Sequence, residues 1–292
     1  MIYLKLVLAT IIWGLTPTIN KLLSEYSSPF VITFFRFFFA GLAFSFLFVY
    51  LRKNFYFTKS SLVLFCCLGF FGFVMHNALM CKGLEGTSAG LTSIIMSLIV
   101  VQVVLIEWLL TKKTPSKLVS LGILMTIFGV YFVSGNDGLK GSENFFFSEF
   151  LVFLSALSWA IYTVICRSAL KHHDELTVLT FATLFAVLFL LPLPALHYDI
   201  VTNIIMDPIS VLLLAFTGLI SSALTFFWHQ QAIQKIGVLT TSIFLNLVPI
   251  FGVISATLIL REEFNIRMIT GTIITVTGVV IVNVFQKPKS NN

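Results

Sequence analysis

"WGLTPTINK", residues 13–21, and "WAIYTVICR", residues 159–167, both open on tryptophan and both close on a cation eight positions later. They lie 146 positions apart. Farther along a second register takes over, offset by 149: Gly69 matches Gly218, and "TSI" at 92–94 matches "TSI" at 241–243. Leu98, Val104, Leu109, Gly122, Thr126, Gly129, Val130 and Val133 then each meet the same residue 149 positions on. Apolar chains match by chance, so the valines and leucines alone mean little. A constant register that carries glycines and a triplet points to a duplicated chain.

The composition says where such a chain sits. Of 292 residues, 58% are hydrophobic and only 10% charged, with a mean hydropathy of +1.01 and 32 phenylalanines. A soluble domain carries about 25% charged residues, so this chain lacks the side chains to face water and belongs in a bilayer. The net charge of +6 does not imply nucleic acid, because the basic residues lie in short runs between apolar segments. Cys66, Cys67, Cys81 and Cys166 have no zinc-ligand spacing and read as small core residues. No cofactor is implied. The first apolar stretch reaches Leu23 without an A-x-A cleavage site and reads as a mature helix.

Ten apolar spans of about 20 residues are predicted, near 4–23, 30–50, 61–80, 89–110, 117–134, 148–167, 176–195, 208–232, 238–260 and 267–285. The connections, such as "SEYSSP" at 24–29 and "SGNDGLKGSE" at 134–143, are too short for a soluble domain. Placing both termini in the cytoplasm puts Lys5, Arg52, Lys53, Lys59, Lys112, Lys113, Lys117, Arg167, Lys171, Lys235, Lys287 and Lys289 inside. Only Lys21, Lys82, Lys140, Arg261 and Arg267 then lie outside, and that bias sets the orientation. With five spans in each copy, an odd number, the second copy crosses in the opposite sense. The expected fold is therefore an all-α membrane protein of ten transmembrane helices in two inverted five-helix repeats, residues 1–136 and 146–286. Inverted repeats characterise secondary transporters, whose substrate site lies near the midplane between the halves. The alternative is a duplicated scaffold that moves nothing.

The pattern resembles the drug/metabolite transporter superfamily, specifically its EamA-type ten-helix members, over essentially the whole chain. The resemblance rests on the Trp-Gly start of "WGLTPTINK" with its cation, on Arg36 in "FFRFFFAG", and on "NLVPIFGVISATLILREEF" with Pro249 and Glu262. The first copy departs from it: "SLIVVQVVLIEWLLTKK" has Val100 for that proline and Lys113 for that glutamate, so neither role carries over to those positions. The resemblance implies a ten-helix inner-membrane carrier of small metabolites, without naming the substrate.

Several residues then read as cavity candidates. Trp13 lies nine residues into its span, about 14 Å at 1.5 Å per residue, and Trp159, with Tyr162 beside it, should reach the same depth from the other side. Tryptophan prefers the interface, so two at the midplane imply either a ligand-filled cavity or helix packing with the N–H bonded to a neighbour. Pro17 removes a helical hydrogen bond and Gly14 loosens the same turn, which lipid does not tolerate; the segment is expected to be flexible and to line the path, with Thr16 and Asn20 as polar groups. Lys21 and Arg167 stand at opposite mouths, either as guards or as snorkelling anchors. Arg36 lies about 9 Å deep, where an unpaired charge costs on the order of 2.5 kcal/mol or more; it meets either substrate or a carboxylate, Glu25 being the nearest in sequence. His76 and Asn77 in the third span, Phe226 and His229 in "FFWHQQ", and Asn246 one turn before Pro249 complete the set. Thr92, Ser93, Thr241 and Ser242 serve either substrate or close packing.

The acidic residues fall almost wholly in loops or at span edges; only Glu107 lies arguably within a span, a turn or so from Lys112 and Lys113. A central carboxylate relay is therefore not expected. The reading is a secondary carrier of a small amphipathic metabolite, an amino acid or similar, working by alternating access in the inner membrane. The alternative is efflux of cationic drugs stacked on aromatics. A membrane enzyme is disfavoured by the lack of GxSxG, HExxH or paired intramembrane aspartates, and a channel by the lack of a charge ring or carbonyl filter. The implied partners are a small-molecule substrate and the lipid bilayer, not nucleic acid; monomer and homodimer both remain open.

Overall fold

A computed structural model describes residues 1–25, 27–53, 58–134, 145–196, 199, 201, 206–262 and 265–286, with side chains for all of these except 145, 195, 233, 234, 237–240, 242 and 243. Lys140, Lys287, Lys289 and the Ser242 side chain, all used above, lie outside this set, as does the 134–143 connection beyond Ser134.

The regular structure among the described residues is helical, with no strand. In order they form α1 (Ile2–Ser24), α2 (Pro29–Tyr50), α3 (Lys59–Leu68), α4 (His76–Leu84), α5 (Ala89–Ile95), α6 (Leu98–Thr111) and α7 (Lys117–Val133), then α8 (Phe145–Ala169), α9 (Glu175–Leu190), α10 (Pro192–Leu196), α11 (Pro208–Ala215), α12 (Thr225–Leu245), α13 (Val248–Leu260) and α14 (Ile266–Phe285). Two π-helical stretches, Gly69–Met75 and Phe216–Leu224, join α3 to α4 and α11 to α12. The starts are chemically marked: Ser28, Thr58, Ser88, Ser116, Asp174, Asp207 and Asn265 each accept a first-turn backbone N–H. Such a cap stabilises a helix by about 1 kcal/mol.

Among the described residues, eight helical segments are long and apolar enough to cross a bilayer. The expected spans at 117–134 and 238–260 are shorter as helices: Lys117–Val133 has 17 residues and Val248–Leu260 has 13. In the second case the chain breaks at Asn246 and Leu247 and starts again at Val248, with Pro249, which has no N–H to give a preceding helix, in the first turn. The matched segment breaks at Met96 and Ser97 with Val100 in that place, so the break does not depend on the proline. The expected break at 233–237 is absent, for α12 runs through it. The perimeter is greasy: Phe146, Tyr131 and Leu258 are 76%, 75% and 75% exposed, a surface for lipid rather than water.

Contacts recur in the registers of the sequence. A Cβ on Gly69 would lie 2.4 Å from Ala182 O and 3.0 Å from Phe185 Cβ. One on Gly218 would lie 2.6 Å from both Arg36 O and Phe39 Cβ. Arg36 and Phe39 stand 146 positions before Ala182 and Phe185. Likewise α6 and α13 both end on a left-handed residue, Lys112 and Arg261, 149 apart. α7 and α14 pair closely: a Cβ on Gly122 would meet Gly278 O at 2.7 Å, and one on Gly129 would meet Gly271 O at 2.9 Å. The numbers rise on one helix as they fall on the other, so the pair is antiparallel. Small residues there let two backbones meet in a setting where van der Waals packing, not water exclusion, holds helices together.

Candidate functional site

α1 stays helical through Pro17. Gly14 does not loosen the turn as expected. Its missing Cβ makes room for α13, since a Cβ there would meet Phe251 Cβ at 2.6 Å and Gly252 N at 2.9 Å. Ser255 of α13 donates to the Gly14 carbonyl (3.2 Å) and lies 2.8 Å from Thr18 Oγ1. The polar residues of α1 thus serve partly as helix-to-helix contacts.

Beside this junction lies a cavity of about 170 Å³, well above the roughly 10–15 Å³ that one water needs. Its walls have a plain composition rule. Asn77 and Phe226, Met80 and His229, Met96 and Leu245, Ser97 and Asn246, Ile99 and Val248, and Val100 and Pro249 all line it, and each pair is 149 positions apart. Trp13 and Trp159, 146 apart, line it too. Both halves therefore build the cavity from matching positions.

The aromatic wall is one connected group. Phe226 packs against both Trp13 and Trp159, with centroids at 5.8 and 5.7 Å. His229 meets Trp13 at 5.2 Å and His76 meets Trp159 at 4.7 Å. Trp13 Nε1 donates to Ser221 O at 3.1 Å, so its ring faces the cavity while protein satisfies its N–H. His76 Nδ1 lies 3.1 Å from Ser155 O. A carbonyl only accepts, so a neutral ring carries its proton on Nδ1 and leaves Nε2 as an acceptor.

Arg36 is 4% exposed. Its Nε donates to Ser222 Oγ at 2.8 Å and its Nη1 to Asn77 Oδ1 at 2.7 Å. Both acceptors are themselves oriented by π-helical carbonyls: Asn77 Nδ2 donates to Phe73 O, and Ser222 Oγ to Thr217 O, each at 3.0 Å. A π turn shifts the backbone ladder and frees carbonyls for this use. The expected rival, an ion pair with Glu25, does not occur among the described residues; Lys53–Asp174, Lys82–Glu85 and Arg167–Glu107 pair elsewhere. Ser97, His229 and Asn246 also line the cavity; their Oγ, Nε2 and Nδ2 atoms are themselves buried and have no partner among the described residues, whereas Asn246 Oδ1 accepts from Asn283.

Of the candidates read from sequence, Trp13, Pro17, Arg36, His76, Asn77, Trp159, Phe226, His229 and Asn246 line the cavity. Asn20 and Tyr162 do not. Asn20 is fully buried, and its amide has no partner among the described residues. Tyr162 packs into the core against Phe73, over the space left by Gly72. Lys21 and Arg167 also lie away from it. Lys21 Nζ donates to Leu84 O and Thr87 O, and Arg167 pairs with Glu107, not Glu107 with Lys112 or Lys113. Ser93 lines the cavity and bonds Ala89 O. Sequence reasoning passed over Ser97 and Met80, although the 149 register already tied them to Asn246 and His229. For Ser222 the sequence carries no such signal. No cluster of three metal-ligating side chains occurs among the described residues.

The profile of the EamA-like transporter family matches residues 1–135 and again 146–284. The chain belongs to that family. Its EamA-family relatives include the uncharacterized transporters YyaM and YetK of Bacillus subtilis (strain 168). YyaM is 27% identical over 99% of this chain and 96% of its own, and YetK 25% identical over 98% and 87%. A WAT1-related chloroplastic protein of Arabidopsis thaliana, At3g02690, is 25% identical over 93% of this chain and 66% of its own. One solved crystal structure superposes with a TM-score of 0.64 at 16% identity, over 96% of this chain and 97% of that one; the likeness is one of fold. The protein is a multi-pass membrane transporter.

Proposed function

We propose that this chain carries a small amphipathic metabolite, an amino acid or a molecule like it, across the inner membrane by alternating access. In this reading, residues 1–136 and 146–286 are inverted five-helix repeats, the ten apolar segments all cross the bilayer, and both termini are cytoplasmic. One observation carries the proposal: the cavity is walled by matched positions, from Trp13 with Trp159 to Val100 with Pro249. A site between two inverted halves, lined by corresponding helices of each, can open to one side and then the other as the halves rock. The recurring contacts of Gly69 and Gly218, and the antiparallel glycine pairing of α7 with α14, support the same relation. The cavity walls suit a mainly apolar ligand with a few fixed polar anchors. Trp13, Pro17, Arg36, His76, Asn77, Trp159, Phe226, His229 and Asn246 are its proposed binding residues.

The test is counterflow. A thermal-shift screen of metabolites on the detergent-purified protein selects a ligand, and labelled ligand is then exchanged across proteoliposomes. The expected result is saturable uptake that an internal load of the same ligand accelerates, and that Trp13→Ala and Arg36→Ala abolish without loss of folded protein. Unsaturable flux, or full counterflow in both variants, overturns the proposal.

A further inference from the structure

We infer that the transported molecule carries a carboxylate, and that this group docks on the Arg36 guanidinium. The inference rests on the carrier reading and narrows it.

Arg36 is the one lysine, arginine or carboxylate side chain lining the cavity among the described residues. Its two hydrogen-bond partners, Asn77 Oδ1 and Ser222 Oγ, are neutral. They occupy two of its five N–H donors and fix its plane, but they leave its charge without a counterion. A fixed, uncompensated cation in a low-dielectric cavity is a specific receptor for an anion, because the bond it forms is charge-assisted and weakly screened. Planar guanidinium matches planar carboxylate better than any point charge does.

The rest of the wall fits the remainder of such a molecule. Asn246 Nδ2, on the other half, and Ser97 Oγ and His229 Nε2 are buried beside the cavity and unpaired among the described residues, polar groups that side-chain rotation would bring to a ligand. Trp13, Trp159 and Phe226 supply flat apolar surface for a side chain. The same arrangement disfavours cations: aromatic faces attract them, yet no carboxylate lines the cavity and Arg36 repels them. The competing role for Arg36 is a pure staple tying α2 to α4 and to the Phe216–Leu224 stretch. A staple needs its two neutral acceptors and is indifferent to the charge of a ligand.

The experiment uses the full-length protein in detergent, with tryptophan fluorescence as readout. The probes are L-leucine and L-phenylalanine, their carboxamides, and the amines left when the carboxyl group is removed. The acids are expected to bind at least about tenfold more tightly than the amides, as for a lost hydrogen bond to a charged group, and the amines most weakly. Arg36→Gln should erase the preference for acids. So should Asn77→Asp, which keeps an acceptor for Arg36 Nη1 and supplies the missing counterion from within, but gives up the donor to Phe73 O; its denaturation midpoint, measured beside binding, separates loss of preference from a folding defect. Equal binding of acids and amides, a preference that survives both variants, or no response to any of the six probes overturns the inference. Saturable counterflow of a neutral or cationic metabolite would leave the carrier reading standing while this one fell.

Discussion

The Ala89–Thr111 segment is held at its two ends by charges from elsewhere in the chain, and the two holds are of different kinds. At the first end Glu262 accepts both Ala89 N (2.7 Å) and Gly90 N (3.0 Å), while Lys21 Nζ donates to Leu84 O and Thr87 O. Every partner there is backbone. At the other end, 18 residues or about 27 Å on at 1.5 Å per residue, Glu107 takes Arg167 and the Gln286 amide. Every partner there is a side chain, and the Arg167 and Glu107 side chains are 39% and 16% exposed. Lys21 and Arg167 are matched by the 146 register, yet one has become a backbone clasp and the other half of an ion pair. Parting the first end strands buried N–H and C=O groups; the second can open by side-chain rotation into water. The contrast teaches that matched positions need not do matched work, and it places the easier opening at the Glu107 end.

The largest effect expected from this contrast is at Glu262. Glu262→Ala strands two helix N-terminal N–H groups and removes a carboxylate from the positive end of a helix. Two charge-assisted bonds are lost, so a destabilisation of about 3 kcal/mol is expected, read as a lower denaturation midpoint in detergent. A midpoint change below that of the Glu107 variants would erase the distinction between the ends.

Arg167→Gln and Glu107→Gln come next. A part-exposed ion pair contributes about 1 kcal/mol or less, so stability should barely move while the rate of counterflow changes several-fold. The exchanged pair, Glu107→Arg with Arg167→Glu, should return the rate towards the parent value. Failure of that exchange would mean that the pair sets something other than the ease of opening.

The smallest effect lies outside the membrane-spanning segments, at Asp174. Burial pushes its carboxyl up, but hydrogen bonds from the Thr177 hydroxyl and backbone N–H and the neighbouring Lys53 cation outweigh it and hold it below the ordinary carboxylate range. The sign follows from linkage. A depressed carboxylate stabilises the fold above its unfolded value, and that contribution is lost as pH falls through the folded value. Asn caps as well as Asp, so Asp174→Asn removes only the charge and should cost about 1 kcal/mol or less at neutral pH, the worth of a part-exposed pair with Lys53, and nothing in strong acid. A cost independent of pH would show that the geometry of the capping side chain, not its charge, carries the effect.

Much of this was legible in the sequence, and the misses have a common cause. The repeat register and the polar residues inside spans led to the cavity because a polar side chain in a membrane helix must face protein or water. Helix periodicity alone does not say how far a cavity reaches. Asn20 is seven residues from Trp13 and shares its face, but stands about 10 Å farther along the axis, beyond the cavity. Tyr162 is three residues from Trp159, on the adjoining face, and turns into the core. Partners were the least legible. Arg36 was read against Glu25, eleven residues away, yet its acceptors lie 41 and 186 positions on. Nothing within one helix specifies which neighbour's π turn will free a carbonyl to orient them. Gly14 was misread for the same reason, since its use depends on α13, not on α1.

Whether the two halves enclose one cavity reached in turn from each side is tested most directly by a matched pair of labels. Ser97→Cys and Asn246→Cys, 149 positions apart and both lining the cavity, are placed in a protein whose four native cysteines are replaced by alanine. A membrane-impermeant thiol reagent is then applied to either face of oriented vesicles. Both positions should label from both faces, with reagent bound from one side blocking access from the other. Labelling of each position from a single face only, or of neither from any face, would contradict the shared cavity.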